Sequence, residues 1–144
     1  MGNSSWLQSF IHVYSELGTD NLRSLIEIYH PDVQFIDPMH QLNGRDELLA
    51  YFDKLYTQIL SCRFVIEHVI ECDNEAAVYW TMTFCHAQLN KKAPITIQGH
   101  SHLKASEEQV IYHRDYLDVG AMLYEHIPLV GKLIRSIKHR VSRS

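Results

Sequence analysis

The chain has 144 residues, 46% hydrophobic and 21% charged, enough apolar material for one globular domain with a real core and too much for wholesale disorder. Its formal net charge of −4 conceals an asymmetry: Lys132, Arg135, Lys138, Arg140 and Arg143 follow residue 131 with no acidic residue among them, which leaves a body of 8 basic against 17 acidic residues, net −9. An acidic body argues against broad nucleic-acid binding, and the short basic tail is left to meet an anionic surface or the body itself, the latter being the leading expectation.

No basic residue precedes Arg23 and no unbroken apolar run opens the chain, so neither a secretory signal nor a membrane span is expected. Cys62, Cys72 and Cys85 are odd in number, lack metal-ligand spacing and fall in expected strands. They read as reduced packing residues in a cytoplasmic protein. Trp6, Leu7, Phe10, Ile11, Val13, Tyr14 and Leu17 recur at helical spacing, with Gly18 placed to end the helix. Thr19 or Asp20 caps a second expected helix carrying Leu22, Leu25, Ile26 and Tyr29, until Pro31 forces an extended entry into the next element. Val33, Phe35 and Asp37 share one face of a short strand closed by Pro38. Gly44-Arg45-Asp46-Glu47 opens a third helix with its acidic residues where the dipole favours them. Leu48, Leu49, Phe52, Leu55, Tyr56 and Ile59 supply its apolar stripe.

From residue 61 the period becomes that of strands, broken by turns at Asp73-Asn74, Asn90-Lys91-Lys92 and Ser106-Glu107-Glu108. Four long strands joined in this way form an antiparallel meander, and three helices before it give an α+β domain whose sheet curls round a helical layer. His68 is expected to point inward with Phe64, Ile66 and Ile70 as a core histidine, while His100 and His102 lie outward. Tyr79, Thr81, Thr83, Tyr112, Arg114 and Tyr116 make a mixed outer face that suits a protein interface. Within Val110-Ile-Tyr-His-Arg-Asp-Tyr-Leu-Asp118, Ile111, His113, Asp115, Leu117 and Val119 fall on one face and Val110, Tyr112, Arg114, Tyr116 and Asp118 on the other. Both faces carry charge, so alternation alone does not choose the inner one. Burying Asp115 beside His113 disfavours their charged forms unless they pair, which marks them as acid-base candidates. The tail reads as a final amphipathic helix begun near Pro128, with Ile127, Leu129, Val130, Leu133, Ile134 and Ile137 apolar. No glycine-rich phosphate loop, serine elbow, cysteine nucleophile or metal-ligand spacing occurs, so no cofactor and no metal are expected.

At Phe35-Ile36-Asp37-Pro38, Gly44-Arg45-Asp46 and Arg114-Asp115-Tyr116-Leu117-Asp118 the chain resembles the nuclear transport factor 2-like superfamily, especially its SnoaL-like branch, over about residues 6 to 120. The resemblance implies a cone formed by a strongly curved sheet wrapped on three N-terminal helices, with an apolar pocket inside. It implies a division into a cone domain, 1–120, and a C-terminal amphipathic basic tail, 121–144, packed on it. Against the superfamily's ketosteroid isomerases, Asp37 matches the general base that precedes a proline. The oxyanion-hole positions fall at Val13, beside Tyr14, and around Gly99 or His100, and do not carry over. Against limonene epoxide hydrolase, Asp115 matches a catalytic aspartate on the last strand and turns His113 and Asp115 toward the pocket. That enzyme's other positions are Phe35, Asp37, Met82 and Phe84 here, so its water-activating network cannot be assembled.

Asp37, His113 and Asp115 are therefore the candidate catalytic residues, in a pocket lined by Phe35, Trp80, Met82, Phe84, Ile97 and Leu103. Such walls suit a small hydrophobic ligand such as a terpenoid, steroid, polyketide or fatty acyl fragment. One reading is an isomerase-, cyclase- or dehydratase-like acid-base enzyme. The other is a non-catalytic ligand-binding or interaction module, with Asp115 simply paired to His113 and Asp37 capping the turn before the third helix. A homodimer through the outer sheet face is expected. The tail covers the pocket mouth, extends the dimer interface or touches a membrane, with packing on the body preferred.

Overall fold

The computed structural model describes residues 3–126 and 130–143; the expected helix start at Pro128, with Ile127 and Leu129, lies outside the described residues. Helix α1 (Ser5–Glu16) buries Trp6, Leu7, Phe10, Val13 and Tyr14, the stripe its spacing dictates. Its amino end is anchored to the sheet: the Ser4 backbone N–H donates to both carboxylate oxygens of Glu71, at 3.2 and 3.3 Å, and negative charge there complements the helix dipole.

The second helix is shorter and tighter than its apolar spacing suggests. It is a 3-10 segment, Leu22–Glu27, and strand β1 (Tyr29–Ile36) begins two residues before Pro31. The cause is local. The Asn21 side chain accepts from the Gly18 N–H at 2.7 Å and donates to the Glu16 carbonyl at 2.7 Å, knotting residues 16–21 into a turn, and β1 starts at Tyr29, so only residues 22–27 are left for a helix. Leu25 is buried but Ile26 is exposed, and Tyr29 serves the sheet rather than a helix.

A three-residue strand, β2 (Gln41–Asn43), returns along β1 and leads into helix α2 (Arg45–Tyr56), which places Asp46 and Glu47 in its first turn and buries Leu48 and Phe52. β3 (Ile59–Cys72), β4 (Glu75–His86), β5 (Ile95–Ser106) and β6 (Gln109–Leu117) form the antiparallel meander. The six strands lie in the order β2-β1-β6-β5-β4-β3, and only β1–β6 is parallel. The last strand of the meander thus sits beside the first strand of the chain, and the curved, unclosed sheet wraps the helices as a cone.

Two irregularities reverse expected side-chain directions. The β3–β4 register shifts between Ile66 and His68, so Val69 turns toward the core, whereas His68 and Ile70 are exposed. His68 is therefore not a core histidine; its ring lies 6.0 Å from that of Tyr79. The β5–β6 register shifts between Lys104 and Ala105, which pair with Tyr112 and Val110 and leave Ile111 as the extra residue. Val110 consequently faces inward, fully buried, although simple alternation groups it with Arg114 and Tyr116.

After β6, Asp118 caps a short helix, α3 (Val119–Met122), by accepting from the Ala121 N–H at 3.1 Å. Helix α4 (Val130–Ser142) is tied back to this region. Lys138 Nζ lies 2.8 Å from Asp118 and 3.1 Å from Glu125, while Arg135 donates to the Glu125 carbonyl at 2.6 Å. Gly131 makes the approach possible, since a Cβ there would sit 2.2 Å from the same carbonyl oxygen. Among the described residues no helix is long and apolar enough to cross a membrane.

Candidate functional site

The concave side of the sheet and helix α2 enclose a cavity of about 260 Å³. Phe35 of β1, Phe52 and Tyr56 of α2, Phe64 of β3, Trp80, Met82 and Phe84 of β4, and Met122 and Leu123 beyond β6 form its apolar wall. Exposed Met39 and Leu55 stand at its rim. Its polar groups are those of Asp37, Tyr51, Tyr56, Cys62, His86 and Asp115. A second, smaller cavity of about 40 Å³ shares Phe52, Tyr56, Phe64, Trp80 and Asp115 with the first and adds Tyr14, Ser101 and His113. It is large enough for a water molecule but not for an organic ligand.

Asp115 stands where the two cavities meet, at the end of a continuous chain of hydrogen bonds. Tyr14 and Tyr29 hydroxyls lie 2.5 Å apart; the Tyr29 hydroxyl is 2.7 Å from His113 Nδ1; His113 Nε2 is 2.6 Å from Asp115 Oδ1. Ser101 Oγ donates to the same Asp115 oxygen at 2.6 Å and accepts from the Trp80 indole N–H at 2.9 Å. One proton arrangement satisfies every link: Tyr14 donates to Tyr29, Tyr29 donates to Nδ1, and Nε2–H donates to the carboxylate. His113 is only 1% exposed and is also enclosed by Phe10 and Phe35, whose rings are 5.7 and 4.9 Å away. Burial holds the Tyr14 and Tyr29 phenols well above their ordinary range; the neighbouring tyrosine and Asp115 add to the effect at Tyr14. Both therefore remain hydroxyl donors at neutral pH. Among the described residues no donor reaches the second oxygen of Asp115, Oδ2.

Asp37 is held differently. Its Oδ1 accepts the backbone N–H groups of Met39 and His40 at 2.8 and 2.7 Å, and lies 3.3 Å from His40 Nδ1. Its Oδ2 accepts from the Tyr51 hydroxyl at 3.2 Å. Burial first, and then the Asp37 carboxylate, push the Tyr51 phenol far above its ordinary value, so Tyr51 also stays protonated. The turn-capping geometry considered for Asp37 is thus present, and Asp37 lines the large cavity as well.

Phe35, Trp80, Met82 and Phe84 take part in the wall, as their alternation suggests, but Ile97 and Leu103 do not. They are 4% and 0% exposed in the core, Leu103 opposite Ala76 and His113 at another level of the sheet. For Leu103, alternation assigns the face but not the depth along the cone; Ile97 pairs with Met82 of the wall and still does not line the cavity. Residues that the sequence does not mark as site residues complete the network: Tyr29 has the spacing of a helix, Tyr14 belongs to the α1 stripe, and Tyr51 stands outside the α2 stripe. Ser101 did carry a signal, sharing the core face of β5 with Leu103 directly opposite Asp115. Among the described residues no group of His, Cys, Asp and Glu could hold a metal ion. The Cys62 thiol, on the cavity wall, is pushed up to about 11 by burial, with the Tyr56 hydroxyl 3.9 Å away opposing the shift, and is no nucleophile at neutral pH.

Comparisons with known proteins agree with this architecture. No curated protein matches the sequence at a significant level. Among solved structures, an NTF2-like protein of unknown function from Burkholderia pseudomallei superposes with a TM-score of 0.73 at 17% identity, covering 84% of this chain and 96% of that one. A hypothetical protein with a ketosteroid isomerase-like fold from Catenulispora acidiphila, in complex with trimethylamine, gives 0.72 at 11% identity over 85% and 92% of the two chains. TerC, co-crystallised with polyporic acid, gives 0.72 at 14% identity over 83% and 95%. Likeness at these identities establishes the fold. The profile of the SnoaL-like domain matches residues 10–113, from Phe10 within α1 to His113 on β6, and the chain belongs to that family.

Proposed function

We propose that the protein is an acid-base enzyme acting on a small, largely apolar carbonyl compound, with Asp115 as its base. The observation that carries this reading is the asymmetry of that carboxylate. Oδ1 is fixed by Ser101 and His113, whereas Oδ2 receives no hydrogen bond from the described residues and belongs to a side chain lining an apolar cavity. In the proposed step, a C–H bond next to the substrate carbonyl breaks, the proton passes to Oδ2, and the electron pair delocalises onto the carbonyl oxygen. Returning the proton to another carbon gives an isomer, expelling a β-hydroxyl that takes the proton back and leaves as water gives a dehydration, and attack on an internal carbonyl whose oxygen takes the proton gives a ring. Tyr51, protonated and on the wall, is placed to donate to the developing oxyanion by turning from Asp37, which keeps its backbone donors. His113 positions the base, and Tyr29 holds the histidine in the required tautomer.

The test does not need the natural substrate. A panel of hydrophobic enones and β-dicarbonyl compounds is incubated with the protein in deuterated water, and deuterium uptake is read by mass spectrometry. We expect exchange to fall at least about 100-fold in Asp115→Asn, within the usual range for losing a general base. Binding of the same compound should persist. Compounds that bind without exchanging, or exchange that survives Asp115→Asn, sink the assignment. They would favour a non-catalytic ligand-binding module, a reading that the saturated Oδ1 of Asp37 supports.

The outer sheet face is proposed as a homodimer interface. There His100 stacks between Tyr79 and Tyr116, with ring centroids 4.9 and 5.0 Å apart, and Val65 and Ile70 are exposed nearby on the same sheet. Cys62, Cys72 and Cys85 are all free thiols, in keeping with a cytoplasmic setting.

A further inference from the structure

Helix α4 presents its apolar side away from the part of the protein that holds it. Gly131, Arg135 and Lys138 recur at i, i+4 and i+7 and make the side that meets residues 118–126, through the Glu125 carbonyl and the Asp118 and Glu125 carboxylates. Val130, Leu133 and Ile137, at i, i+3 and i+7, make a different side, and their exposures are 41%, 60% and 47%. A helix meant to bury its apolar stripe against its own domain would be turned the other way. Polar contacts set this orientation: Lys138 reaches both the Asp118 and Glu125 carboxylates, and Arg135 holds the Glu125 carbonyl.

Charge identifies what the apolar side meets. From residue 130 to 143 there is no acidic residue, and Lys132, Arg140 and Arg143 have no carboxylate partner among the described residues. Arg140 falls next to Leu133 and Ile137 on the helix surface, so a long basic side chain flanks the apolar stripe. The outer sheet face of a second copy is a poorer match: it displays Lys104 over Tyr112 and Arg114 over Tyr116 beside Glu67 and Glu75, a mixed polar surface with no apolar depth to receive the stripe. A bilayer interface supplies apolar depth and anionic headgroups together, and a short helix with a sharply divided apolar and basic surface is the form that lies in it.

We infer that α4 docks the protein on an anionic lipid surface, with Val130, Leu133 and Ile137 entering the headgroup boundary and Lys132, Arg140 and Arg143 meeting lipid phosphates and carboxylates. The inference is independent of the chemistry in the cavity, but it bears on access. The segment that α4 grips contains Met122 and Leu123 of the cavity wall, so docking sets a hydrophobic-ligand cavity next to a reservoir of hydrophobic molecules.

The experiment is co-sedimentation of the full chain with vesicles of phosphatidylcholine alone or with roughly 30 mol% phosphatidylserine, at low salt and at about 0.5 M salt. Binding to the anionic vesicles only, weakened by salt and at least about tenfold weaker in Leu133→Ser/Ile137→Ser, supports the inference. Both positions are exposed, so the circular dichroism of that variant should match the parent. Absence of binding to anionic vesicles at low salt, or binding indifferent to the double substitution, overturns it. A halving of the solution mass in the variant, read by light scattering, also overturns it by showing that the stripe joins two copies.

Discussion

His113 has both ring nitrogens in hydrogen bonds although it is only 1% exposed, and Tyr29 is what makes this possible on the Nδ1 side. Tyr29→Phe removes the donor to Nδ1 and the acceptor for the Tyr14 phenol together, leaving two buried polar atoms unpaired. Urea denaturation should show a loss of about 1–3 kcal/mol, whereas Tyr14→Phe, which spares the Tyr29–His113 bond, should cost about 1 kcal/mol or less. Equal losses in the two variants would contradict the donor order assigned above. Alkaline pH probes the same pair. Because burial raises both phenols above the ordinary 10.0, ionisation is harder folded than unfolded. The stability they hold is complete below pH 10 and is lost as pH rises toward their folded values. Their tyrosinate absorbance should therefore appear together with unfolding; if it appears near pH 10 in a still-folded chain, the buried network is wrong. The His113–Asp115 pair was legible from a two-residue spacing on one strand. Tyr29 was not, because its spacing from Leu22, Leu25 and Ile26 fits a helix as well as its neighbours fit a strand.

Among the elements, β4 and β5 set the geometry of the wall through one missing side chain. Gly99 is the register partner of Trp80, and a Cβ at Gly99 would lie 2.5 Å from the indole and 2.8 Å from the Tyr116 carbonyl. The indole lies over that glycine with its N–H on Ser101, which in turn holds Asp115. Gly99→Ala should therefore destabilise by about 1–3 kcal/mol through overpacking and reshape the cavity. Trp80 fluorescence and ligand affinity would both shift. A variant with unchanged stability and fluorescence would mean that the ring is not seated as described. Element order, the meander and its turns could all be read from hydrophobic period and turn residues. The bulges at Ile66/His68 and Lys104/Ala105 could not, since nothing in the local composition marks where a strand gains a residue; the first reverses the face of the residues after it on β3 and the second that of Val110, before it on β6. The resemblance at Arg114–Asp118 oriented His113 and Asp115 where alternation alone left two choices.

For the molecule as a whole, the proposed assembly is open to direct measurement. Light scattering should give a dimer at micromolar concentration, and Tyr116→Asp with Tyr79→Glu, placing charge on the stacked outer face, should give monomers with the cavity intact. A wild-type monomer under those conditions removes the claim. The parallel pairing of β1 with β6 has a further consequence, in time rather than in space. Tyr29 and His113 are 84 residues apart in sequence, yet their bond and the strands that carry them meet in the middle of the sheet. The β3–β4 and β4–β5 hairpins close short loops, whereas β1 has no neighbour but the three-residue β2 until β6 has emerged. Long-range pairing carries the larger closure entropy and comes late. Synthesis of the chain thus produces most of a sheet before it produces a site, and the Tyr29–His113 link that positions the proposed base is assembled in the final steps of folding.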